Sequence, residues 1–258
     1  MRIGICASQR GLVTVSAAGY DYIEPAVAGM LQPEKPETEV MPPLLKLFEA
    51  SLLKPESYNL FLPGDLKVVG PDANITRQEH YLDSAFARME MLGGKIAVFG
   101  SGGARAIPDE WPLSDAHTQM LAFLKSCGDA AHRHGVVVVV EPLNVSECNS
   151  VNSVAEAVRL AEEVNHPAIG VLSDLYHIDH DGQSYEETRD AAPWLRHVHV
   201  AGRGRRAPIA DDYEFLRGYF TVLKEAGYTG RVSIEANWEN LEQQALEARL
   251  VVQRSWNE

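Results

Sequence analysis

Short runs of β-branched and other apolar residues recur along the chain, each followed by a longer stretch whose apolar positions fall at helical spacing. The runs predict strands over 2–7, 20–25, 58–62, 95–99, 136–140, 169–173, 196–200 and 231–235. From the first start to the last is 229 residues in seven intervals, about 33 each, the size of one strand with its crossover helix. This alternation predicts a parallel sheet with helices outside it. Eight such units predict an α/β fold, a single-domain (β/α)8 TIM barrel over residues 1–258. Thr76 and Glu79 have the spacing of a capping box, predicting a helix that ends at Gly93-Gly94. Ser114 and Asp115 predict a helix running to Gly135, and Ser153 predicts one through Val164 that Pro167 keeps from continuing. Between Ala26 and Leu44, the prolines at 33, 36, 42 and 43 predict an extended loop after the second strand.

Composition narrows the class. Hydrophobic residues make up 45% of the chain and charged residues 23%, enough apolar side chains for a real core. Acidic residues outnumber basic ones 36 to 23, a net charge of −13 that disfavours nonspecific nucleic-acid binding, since phosphate neutralisation needs a basic face. Only Arg2 precedes the short apolar stretch Ile3 to Ala7, and no apolar run approaches the length of a membrane span, so neither signal peptide nor membrane partner is expected. Cys6, Cys127 and Cys148 lack paired short spacing, which predicts neither a disulfide framework nor a thiolate zinc site and fits a cytoplasmic location.

In a barrel of this kind the reactive groups sit where the strands end and the βα loops begin. The fifth predicted strand ends in Glu141-Pro142-Leu143-Asn144 and the sixth in Asp174-Leu175-Tyr176-His177. The seventh carries His197 and His199, and the eighth ends in Glu235. Four successive strands thus bring Glu, Asp, His and Glu to one rim, at intervals of 33, 25 and 36 residues. Three carboxylates in one small volume repel one another unless a cation compensates them. Glu141, Asp174, His199 and Glu235 are therefore expected to hold one divalent metal ion. Their oxygen-rich shell with one imidazole suits Mn2+ first, with Mg2+, Co2+ or Zn2+ also accepted.

These residues, with Gly19-Tyr20-Asp21-Tyr22-Ile23-Glu24 at strand two and Phe61-Leu62-Pro63-Gly64 after strand three, resemble the xylose-isomerase-like barrel superfamily of sugar isomerases and epimerases. The resemblance covers essentially the whole chain, and its closest pattern is that of ketose 3-epimerases and hydroxypyruvate isomerase. It implies that Glu141 and Glu235 act as catalytic base and acid besides binding metal, and that His177, Arg205 and Glu147 contact substrate. It also implies proton transfer on a small keto sugar, or its acid or phosphate relative, through an enediolate held by the metal. Return of the proton by the same carboxylate gives isomerisation and by the opposite one epimerisation, and the sequence leaves both open. Members of the superfamily also include dehydratases and lyases that eliminate a substituent from a keto sugar, inositol ketone or oxidised glycoside. A noncatalytic barrel subunit is a further alternative. The expected partner is a small-molecule sugar, and a homo-oligomer is compatible with the sequence.

Three more features invite a role. Glu24, at the end of strand two, is read either as a further acid or substrate contact in the barrel mouth or as a structural partner of the loop or an arginine. Gly100-Ser101-Gly102-Gly103-Ala104-Arg105 is read as a close backbone approach to substrate. Arg203, Arg205 and Arg206, the one dense basic cluster of an acidic chain, are read either as a solvated loop or as recognising a carboxylate or phosphate on the substrate.

Overall fold

Eight parallel strands form one sheet in the computed structural model, which describes residues 1–258. They are β1 (Arg2–Cys6), β2 (Tyr22–Glu24), β3 (Ser57–Tyr58), β4 (Ile96–Phe99), β5 (Val137–Val140), β6 (Ile169–Asp174), β7 (Leu195–Val200) and β8 (Arg231–Ile234). Their order is β2-β1-β8-β7-β6-β5-β4-β3, and two isolated bridges, Ile23 with Pro55 and Ala26 with Asn59, close the ring between β2 and β3. The fold is the (β/α)8 TIM barrel. None of its helices is long and apolar enough to cross a membrane.

Strand side chains alternate between the barrel interior and the surrounding helices. Ile96, Val98, Val139 and Leu172 form an apolar cluster of their own, apart from the large core that lies between strands and helices. Counting by twos up that same inner face leads from Val98 to Gly100, from Val139 to Glu141 and from Leu172 to Asp174. Register places Asp174 beside His199 and His199 beside Ser233, so one level of the barrel interior turns from apolar to ionisable. A bulge sets the phase of β7. Val171 pairs with Leu195 but Leu172 pairs with His197, leaving Arg196 as the extra, exposed residue. Bulges re-aim the side chains that follow them, and here His197 and His199 both come to lie fully buried.

Several sequence expectations are corrected. The third strand is two residues, not five, because Leu60 takes a left-handed backbone (φ 42°) that ends the pairing. The proline-rich stretch is not all loop: a π-helical turn spans Val27–Leu31 and a helix spans Glu37–Glu49 with Pro42 and Pro43 inside it. The carbonyls that those prolines deprive of donors belong to Thr38 and Glu39, both exposed to water. Val40, Met41, Leu44 and Phe48 still make a buried helical stripe. The next helix, Ile75–Met91, is capped by Asn74, whose Oδ1 accepts from the Arg77 amide at 3.0 Å, and not by Thr76. Helix Leu113–Arg133 starts after Pro112 with no side-chain cap, so Ser114 and Asp115 lie inside it. Ser153 caps Val154–Val164 as expected, its Oγ accepting from the Glu156 amide at 3.2 Å.

Candidate metal centre and active site

Glu141, Asp174, His199 and Glu235 converge at the C-terminal mouth, with one potential ligand atom from each lying within 4.8 Å of all the others. Glu141 follows β5 and Glu235 follows β8, while between them Asp174 ends β6 and His199 is the penultimate residue of β7. His199 stands among the carboxylates, with Nδ1 3.2 Å from Glu141 Oε1 and 3.5 Å from Glu235 Oε2. Burial raises the Glu235 carboxyl, but His199 and then Arg205 outweigh it and bring the pKa down to about 2. Asp174 moves the other way, pushed up by burial and by the neighbouring carboxylates against the pull of His177. Its Oδ1 accepts from the Tyr176 amide at 2.8 Å, while Oδ2 is buried and has no hydrogen-bond partner. An orphaned carboxylate oxygen facing a glutamate, a histidine and a second glutamate suits a divalent cation, so these donors fit the ion expected from the sequence.

The residues expected to touch substrate surround that cluster. His177 Nδ1 accepts from the Asn144 backbone amide at 3.1 Å, which leaves the proton on Nε2. That Nε2 lies 3.6 Å from Asp174 Oδ2, buried and without a hydrogen-bond partner, a donor aimed at the metal side of the mouth. Arg205 donates to Glu235 Oε2 at 2.7 Å and to Glu147 Oε1 at 3.3 Å, and its guanidinium stacks 4.8 Å above the Tyr176 ring. The Arg205 backbone is left-handed at φ 65°, a conformation that costs a non-glycine residue about 1–2 kcal/mol. Its carbonyl is pinned by the Asn237 amide at 2.7 Å. Glu147 therefore reaches the site through Arg205, although it is itself exposed.

The basic cluster does not offer free guanidinium groups to a substrate anion. Arg203 pairs with Asp179 at 3.2 Å and stacks 4.2 Å over Phe215, and Arg206 pairs with both oxygens of Asp212. With Arg205 held by Glu235 and Glu147, all three are engaged by carboxylates of the chain itself. Glu24 is not an arginine partner. It is fully buried and accepts from His197 and His199. Asn59, which sequence reasoning passed over, donates to Glu235 Oε1 at 3.2 Å. Glu24 and Asn59 also line a cavity of about 430 Å3 with Cys6, Gln9, Arg10 and Leu60.

The chain matches the xylose isomerase-like TIM barrel family over residues 12–254. It belongs to that family. L-ribulose 3-epimerase of Methylomonas sp. (strain DH-1) is 26% identical over 237 residues, 89% of this chain and 78% of that enzyme. 3-dehydro-D-guloside 4-epimerase of Escherichia coli (strain K12) is 31% identical over 154 residues, 56% of this chain and 57% of the other. The matched stretch spans between 36% and 78% of its curated relatives, and under two thirds of most of them. Among solved structures, D-allulose 3-epimerase from Methylomonas sp. superposes with a TM-score of 0.85 at 20% identity, covering 99% of this chain and 98% of that one.

In this xylose isomerase-like barrel the glycine loop after β4 makes its close approach to the Glu141 carboxylate and to the segment that follows it. A Cβ on Gly100 would overlap Glu141 Oε2, so only glycine lets that carboxylate lie against β4. Gly102 packs against Leu143 and the Glu147 carbonyl, and buried Arg105 donates to the Glu141 carbonyl at 2.8 Å. The Gly100→Ala protein is expected to fold with little change in thermal stability, since the flexible end of Glu141 can move aside. Its turnover should fall on the order of 100-fold, the loss typical of an ångström-scale misplacement. Steady-state kinetics beside a melting curve check this, and unchanged turnover would show that the close approach is only packing.

Proposed function

We propose that the protein is a divalent-metal-dependent epimerase of small keto sugars. The convergence of Glu141, Asp174, His199 and Glu235 on one point, with Glu141 after β5 and Glu235 after β8 on either side of the strands that carry Asp174 and His199, carries this reading. Two carboxylates that flank a common centre can remove a proton from one face of a carbon and supply one to the other. That arrangement favours epimerisation over same-face isomerisation, and the 3- and 4-epimerase relatives point the same way.

A bound Mn2+ or similar ion would be held by Glu141, Asp174, His199 and Glu235, and would supply Lewis-acid polarisation of the substrate carbonyl. The side chains of the protein do the rest. In each direction one glutamate, as carboxylate, takes the proton from the carbon beside the carbonyl, and the other, having picked up a proton from water before the step, delivers it to the opposite face and is left as carboxylate. His177 donates from Nε2 to a substrate oxygen, while Arg205 holds the ionised Glu235 in place and presents its remaining N–H groups to the mouth. The cavity of about 430 Å3 beside Glu24 and Asn59 takes the remainder of the sugar. Since the three clustered arginines already have carboxylate partners, an uncharged sugar suits the mouth better than an acid or phosphate.

Incubation with Mn2+ and candidate ketoses in deuterated water is expected to place deuterium at the carbon next to the carbonyl, in a product of otherwise unchanged formula. Mass spectrometry and sugar chromatography read the outcome. Loss of a β-substituent would replace epimerisation by elimination. No label across ketoses, keto acids, sugar phosphates and oxidised glycosides would leave a noncatalytic barrel.

A further inference from the structure

A closed hydrogen-bonding network lies one step behind the metal cluster and joins strands on both sides of β1. Glu24 on β2 is fully buried, and its two oxygens face two imidazoles of β7. Oε1 lies 2.8 Å from His199 Nε2, and Oε2 lies 2.8 Å from His197 Nε2. Ser233 on β8 also donates to Oε2 and is in contact with the Tyr22 hydroxyl at 2.8 Å. Ser57 on β3 lies 3.1 Å from His197 Nε2. None of these groups reaches the position where Glu141, Asp174 and Glu235 converge, except through His199.

We infer that Glu24 is a positioning residue that decides which nitrogen of His199 meets the metal. An imidazole that donates from one ring nitrogen to a carboxylate presents the lone pair of the other, and the carboxylate makes that lone pair more basic. Here Nε2–H points to Glu24, so Nδ1 is the ligand atom, in agreement with its 3.2 and 3.5 Å distances to Glu141 and Glu235. His197 and Ser233 act on the other carboxylate oxygen and keep Glu24 from rotating away. His197 Nδ1 has no partner, so this second imidazole is fixed through Nε2, by Glu24 and Ser57. With Glu24 gone, the His199 ring is free to turn or to carry its proton on Nδ1, which would aim an N–H at the cation.

The inference rests on reading the four convergent residues as metal ligands, and the test separates the two. Zn2+ affinity is measured by chelator competition on the full-length wild type, Glu24→Ala and Glu24→Gln, with a melting curve of each metal-free protein as a fold control. Glu24→Ala is expected to lose 10- to 100-fold in affinity, as for other second partners of ligating histidines. Glu24→Gln keeps an oxygen to accept from Nε2–H and should recover part of that loss. Nitrogen-15 NMR of the Zn2+-loaded wild type, labelled at histidine, should show His199 protonated at Nε2 and metal-bound at Nδ1. A folded Glu24→Gln protein keeps this readout informative even if the alanine variant fails to fold. Wild-type affinity in both variants, or coordination through Nε2, overturns the inference alone. A second ion per chain that disappears in Cys6→Ser also overturns it, because Glu24 would then be a ligand alongside Cys6 and His199. A wild-type protein that binds no ion overturns both this inference and the metal site on which it rests.

Discussion

Asp174→Ala combined with His199→Ala is expected to yield a folded barrel that no longer retains a divalent ion. The double change removes the orphaned Oδ2 of Asp174 and the only imidazole of the cluster, leaving Glu141 and Glu235 with Arg205 as their compensating charge. Arg205 already reaches Glu235 at 2.7 Å, so a protein cation can replace much of what the metal would neutralise. Loss of the Asp174 bond to the Tyr176 amide removes a helix cap and should cost about 1 kcal/mol of stability. Melting curves should therefore shift modestly, while metal content falls to background. Elemental analysis after dialysis against Mn2+ decides the matter, and one equivalent of tightly held metal in the double variant would refute the ligand assignment.

Glu235→Gln and Glu141→Gln are each expected to cut epimerisation by at least the 10²- to 10⁴-fold that removal of a positioned general base produces. The amide keeps the shape and one oxygen donor but cannot take up a proton at neutral pH. The two variants should differ in one respect. If each glutamate serves one face of the carbon, each single variant still exchanges the hydrogen of the substrate epimer whose proton faces the remaining carboxylate. Deuterium wash-in from each epimer separately is the measurement. Full turnover in Glu235→Gln would rule out the two-glutamate scheme.

Much of this molecule is legible in its sequence because the relevant signals are local or periodic. The eight apolar runs mark the barrel, and the four ionisable residues at their ends mark the cluster at its mouth, since a strand end is a definite place in this fold. The helix containing Pro42 and Pro43 was illegible because the prolines argue locally against it, while the buried stripe of Val40, Met41, Leu44 and Phe48 prevails through tertiary packing. The end of the third strand is not legible, because nothing in Asn59-Leu60 announces a left-handed turn. The roles of Gly100 and Glu24 depend on contacts with residues 41 and 173–175 positions away, which no short pattern encodes. A partial signal did exist: His197 and His199 lie two apart in one strand and so share a face, which already calls for two partners inside the barrel.

The two-residue β3 gives the barrel an uneven mechanical character. Around the ring, the join between β2 and β3 lies diametrically across from the join between β6 and β7. The first is stitched by two isolated bridges, whereas the second unites two six-residue strands bearing Asp174 and His199. The first join is held mainly by loop backbone, with Asn59 N donating to the Pro25 carbonyl at 3.1 Å and Val27 N to the Asn59 carbonyl at 2.9 Å, and it borders the cavity that Asn59 and Leu60 help to line. One wall of the barrel is thus loop-built where it meets the cavity, while the opposite wall is ruled by strand register, which sets Asp174 and His199 side by side.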